Sequence, residues 1–78
     1  MKINTLMYSC DWEVLFLAIS QVYPEMVIEA KKYLVGKYGH YISNETIIGY
    51  CAVQIDSSLD SKLVVDVYNR LLKLKSFT

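Results

Sequence analysis

The side chains able to do chemistry are few and far apart. One histidine, His40, stands between Gly39 and Tyr41, and the two thiols are Cys10 and Cys51. A turn histidine can shuttle protons near neutral pH, and a thiol just ahead of a helix can be activated by the positive helix N-terminus. Either group needs partners to work. Cys10, His40 and Cys51 lack zinc-ligand spacing, and no base stands near Cys10. His40 therefore reads as a structural or solvent-facing turn residue, and Cys51 beside Ala52 as a small packing residue. The carboxylates lie at helix starts and do not pair as acid and base. No phosphate loop or dinucleotide fingerprint occurs. The expectation is a binding protein, not an enzyme, with no catalytic residues, no metal and no cofactor.

Composition narrows the binding classes. Acidic and basic residues number eight each, so the formal net charge is zero. Nucleic-acid binding draws on concentrated positive charge, and no segment has a basic recognition face, so no nucleic-acid partner is expected. The longest uncharged run, Val14 to Pro24, is far short of the ~20 residues of a spanning helix, so no membrane insertion is expected. Asp11 and Glu13 precede that run, where a signal peptide would be basic. Two cysteines are too few for a disulfide-stapled secreted domain. A cytoplasmic, reduced setting fits best.

Four helices would position the side chains, in a single domain spanning residues 1–78. The first runs from Trp12 to Val22 with Asp11 as N-cap. Pro24 starts the second, which runs to about Lys37 and stops at Gly36 and Gly39. The third covers Glu45 to Ile55 after the capping residues Ser43 and Asn44. Because Thr46–Ile55 is rich in β-formers, an α+β alternative with a strand there stays open. The fourth runs from Ser61 to Lys75 after Asp60. Acid precedes base in the second and fourth segments, matching the helix dipole. Lys2 to Tyr8 fits a frayed end, a helical extension or a short strand. The fold class is all-α, with about four antiparallel helices.

A shift of about 34 residues, the tetratricopeptide period, pairs Val14 with Ile48, Leu17 with Cys51, Ala18 with Ala52 and Ile19 with Val53. It also pairs Ala30 with Val64 and Leu34 with Tyr68. This suggests two helical hairpins in a TPR-like arrangement, although the repeat's first Trp and closing Pro are missing.

On residues Ile28-Glu29-Ala30-Lys31-Lys32-Tyr33-Leu34 and Asn44 through Leu72, including Cys51-Ala52 and the Leu59 turn, the chain resembles the TPR-like cochaperones of type III secretion needle subunits. The resemblance implies a cytoplasmic chaperone that cradles the amphipathic C-terminal helix of a needle subunit, usually with a second small chaperone. It would keep that subunit from polymerising before export. The competing expectation is a small regulator or inhibitor from a phage or mobile element, also acting by protein contact.

The first helix supports a partner surface on its own account. Val14, Leu17 and Ala18 form the stripe expected to face the second helix, while Trp12, Leu15, Phe16, Ile19 and Tyr23 occupy the rest. A helix apolar all round either sits centrally in a bundle or offers its second face to a partner. The third segment repeats the pattern with Ile47, Tyr50 and Val53. The candidate partner-binding residues are Trp12, Leu15, Ile19, Tyr50 and Val53, with Trp12 and Tyr50 as aromatic anchors.

Overall fold

The structure, a computed structural model, describes residues 2–39 and 41–76. His40 lies outside the described residues. Five α-helices occur among them: α1 (Ile3–Leu6), α2 (Trp12–Val22), α3 (Pro24–Tyr38), α4 (Asn44–Ser58) and α5 (Ser61–Ser76), with a 3-10 turn at Met7–Ser9 after α1. The protein is all-α.

Local chemistry explains the boundaries. The Asp11 carboxylate accepts the Val14 amide at 3.1 Å, which starts α2. Pro24 takes the first position of α3, where its missing N–H costs nothing. Gly39 ends that helix at φ 102°, a conformation open almost only to glycine. The Ser43 hydroxyl accepts the Thr46 amide at 3.3 Å to open α4, and the Asp60 carboxylate accepts the Lys62 amide at 2.9 Å to open α5.

The strand alternative for Thr46–Ile55 is ruled out. Ile47, Ile48, Cys51, Ala52 and Ile55 are all buried at helical spacing inside α4. Packing of that face outweighs the β-propensity of its residues. The ambiguous start, Lys2 to Tyr8, folds as α1 and the 3-10 turn. Its first two amides, Ile3 and Asn4, donate to the two carboxylate oxygens of Asp56 on α4, each at 2.9 Å. A cap from more than fifty residues away holds a helix too short to persist alone.

Helix pairing decides what α2 is for. It packs against α3, α4 and α5, so it sits at the centre, with α1 laid across α4 and α5. Its four sealed residues, Val14, Leu15, Ala18 and Ile19, form one broad stripe. Leu17, expected to face the second helix, is exposed; at 100° per residue it lies roughly 130° from the middle of that stripe.

The helix contacts do not confirm a TPR-like pairing. Leu59 and Asp60 join α4 to α5, yet α5 lies chiefly along α2 rather than along its sequence neighbour. Two polar ties fasten it there. The Tyr68 hydroxyl accepts the Asp11 amide at 3.0 Å, and Lys75 meets the Asp11 carboxylate at 2.6 Å. Of the pairs found at the repeat period, Val14 and Ile48, Ala18 and Ala52, Ala30 and Val64, and Leu34 and Tyr68 are buried at both members. Leu17 and Val53 break the correspondence, because each is exposed where its mate is sealed.

Candidate partner-binding surface

The structure divides the five sequence-predicted residues into three environments. Leu15 and Ile19 are core residues, 0% and 1% exposed, and cannot meet a partner while the domain is folded. Their assignment to a binding surface is corrected by the position of α2. A central helix buries most of its circumference, so its apolar residues reflect packing and not spare surface.

Trp12 and Tyr50 are half-buried against the core but lie in different places. Trp12 borders a small cleft of about 200 Å3 with Asn4, Met7 and Tyr8, so it faces the N-terminal turn. That turn also reaches α4, where a methyl group added at Gly49 would lie 3.8 Å from the Met7 methyl. Tyr50 instead borders a groove of about 440 Å3 with Met26, Glu29, Ala30 and Tyr33 of α3 and Gln54 of α4. Val53 is 64% exposed and follows Tyr50 by three positions, the spacing of neighbours on one helix surface. Val53 also borders a shallow cleft of about 260 Å3 with Lys2, Asn4, Asp56 and Ser57. Tyr50 and Val53 thus share the outer face of α4, and Trp12 does not join them.

Sequence reasoning missed Tyr33. Its ring stacks on Tyr50 with centroids 5.3 Å apart and planes tilted by 33°, an arrangement typical of attractive aromatic pairs. The Lys37 ammonium sits 5.7 Å from the centre of the Tyr33 ring and 5.3 Å from that of Tyr38. The signal was available: Tyr33 lies beside the buried Ala30 and Leu34 stripe and precedes Lys37 by one helical turn. Linking it to Tyr50 needed the pairing of α3 with α4, which no local pattern supplies.

The groove owes its shape to its wall residues. Ala30 is buried and small, so α3 approaches α4 closely at that level, while Met26, Tyr33 and Tyr50 raise apolar sides around it. Glu29 and Gln54 add polar groups to its lining. Both helices run fifteen residues, so the face between them is about 22 Å long at 1.5 Å per residue.

The thiols show no sign of activation. Burial pushes Cys51 up to about 11. Cys10 is also raised, first by burial and further by the negative charge of Asp11, against the lowered value expected from its place before a helix. Its Sγ points to the Met7 carbonyl at 3.9 Å. No cluster of three or more metal-ligating side chains occurs among the described residues, and no helix among them is long and apolar enough to cross a membrane. No family model, curated protein or solved structure matches this chain.

Proposed function

We propose that the chain is a non-enzymatic binding protein that seats an amphipathic helix of a small client across the α3–α4 groove. The observation that carries this reading is the tilted Tyr33–Tyr50 ring pair at a groove lined by Met26 and Ala30 together with the polar Glu29 and Gln54, with the exposed Val53 one turn further along α4. A groove between two packed helices accepts a third helix by the same ridge-and-groove fit that packs helices within domains. Tyrosines suit such a site, because they bring large contact area at low entropic cost and keep a polar tip for the rim. Each apolar client side chain buried there is worth roughly 1.5–3 kcal/mol. Three or four would support a micromolar complex before association costs are deducted.

The family resemblance gives the client its specific form: the C-terminal helix of a type III secretion needle subunit, held in the cytoplasm with a second small chaperone. The test is a fluorescence-anisotropy titration of a labelled peptide of that helix. Saturable binding is expected, weakened about tenfold or more by Tyr50→Ala or Val53→Asp and unchanged by Leu17→Asp on the far surface. A peptide that fails to bind the folded protein removes the needle-subunit client. Binding that ignores Tyr50→Ala removes the groove, and binding that ignores Val53→Asp removes its extension along α4.

A further inference from the structure

The outer face of α3, turned away from Ala30 and Leu34, carries a second surface, which meets the groove at Glu29. Ile28 is 54% exposed there, and with Lys31, Lys32, Val35 and Gly36 it borders an open, shallow depression of about 540 Å3. Gly36, which has no side chain, forms part of its border. A methyl group placed there would meet nothing within 4 Å. Ile28, Lys31, Lys32 and Gly36 are all exposed among the described residues, and Val35 is partly so.

Charge tells what fits it. Glu25 and Glu29 stand in the first half of the helix, and Lys31 and Lys32 in the second, all exposed. The ion pairs among the described residues involve Asp11, Glu13, Lys62, Asp66 and Lys75, so none reaches these four. A helix acidic at its start and basic further on is complementary to its own copy laid antiparallel. A parallel copy would set like charges together. A molecule with no net charge adds no long-range repulsion to oppose that pairing.

We propose that this face joins two copies of the chain through an antiparallel, two-fold α3–α3 contact. With the axis near the Ala30–Lys31 peptide, Glu29 of each copy faces Lys32 of the other. The same register sets Glu25 over the gap at Gly36 and leaves Ile28 of each copy about 3 Å along the axis from Val35 of the other. The small residue lets the helices approach closely, and the two reciprocal ion pairs select the antiparallel direction. One pair of fifteen-residue helices makes an interface at the low end of stable sizes, so the dimer forms with concentration and is weakened by salt.

Sedimentation velocity on the full chain tests this, with loading up to roughly 1 mM, the weakest affinity such an interface would carry. The expected result is a monomer–dimer equilibrium. Glu29→Lys or Lys32→Glu alone should weaken it about tenfold, because each replaces two attractions by two repulsions. An equimolar mixture of the two variants should restore dimers, and so should the double variant E29K/K32E. Circular dichroism of each variant verifies that exposed substitutions leave the helices intact. A chain monomeric throughout, single reversals without effect, or a mixture that stays monomeric would each overturn the proposal.

Discussion

The Tyr68 hydroxyl on α5 accepts a hydrogen bond at 3.0 Å from the backbone amide of Asp11, the residue that caps α2. The amide is one that the helix cannot satisfy by itself, and the tyrosine supplying its partner is 4% exposed. Removing the hydroxyl in Tyr68→Phe leaves the ring packed but orphans the amide. The expected loss is about 1–2 kcal/mol, the usual cost of a partly buried donor left unpaired. Urea denaturation should show a lower midpoint at unchanged slope.

Asp56 plays the corresponding part for the N-terminus, with one carboxylate oxygen on the Ile3 amide and the other on Asn4. Asp56→Ala should release α1 at a cost of about 1 kcal/mol, within the range of lost helix caps. Ile3 is fully buried, so its release also uncovers core surface. Hydrogen exchange distinguishes this from a global effect. The amides of Ile3 through Leu6 should exchange faster in the variant, while those of α2 keep their protection.

These two contacts mark where the sequence stopped being legible. Asp11, Pro24, Ser43 and Asp60 act on residues within three positions, so their roles could be read from the chain alone. Asp56 acts on residues 52 and 53 positions away and Tyr68 on one 57 away, and no local pattern announces either. The Tyr23 hydroxyl is a third case. It brackets Asp60 by accepting its amide and donating to its carbonyl, tying the α2–α3 turn to the α4–α5 turn. The same limit explains the division of the candidate surface. An apolar helix was evident at Trp12–Val22, but whether Leu15 and Ile19 faced a partner depended on α3, α4 and α5 packing around α2. Val53 was legible because it falls outside the Ile48, Cys51, Ala52 and Ile55 stripe.

The link between Lys75 and Asp11 makes part of the stability pH-dependent. Lys75 foremost, then the Val14 amide, holds the Asp11 carboxyl below its usual 3.8. A carboxyl depressed by folding contributes stability that is fully present above pH 3.8 and lost as the pH falls through its lower folded value. Lys75 is shifted the other way, raised above 10.5 chiefly by its hydrogen bond to Asp11. Its contribution is complete below pH 10.5 and disappears as the pH rises through the raised value. Thermal unfolding should therefore show this contact intact between those limits. Lys75→Met should remove its part of the alkaline loss and shrink the acid one, leaving the Val14 cap. Added salt should mimic part of that change, because both groups face solvent.

The sharpest contrast between core and surface lies between Ile19 and Val53, two residues that the repeat period places in equivalent positions. Ile19 is sealed between α2 and its neighbours, whereas Val53 projects from α4 beside Tyr50. A carboxylate at Ile19 would have no partner and no water, so Ile19→Asp should cost more than about 4 kcal/mol, a large part of what a domain of this size has. Val53→Asp should shift stability by about 0.5 kcal/mol or less, as exposed substitutions do. Far-ultraviolet circular dichroism and urea midpoints of the two variants measure this directly. A well-folded Ile19→Asp protein would mean that α2 is not the buried centre of the fold, and an unfolded Val53→Asp protein would mean that the outer face of α4 is covered. The second outcome would remove that face from the proposed docking surface.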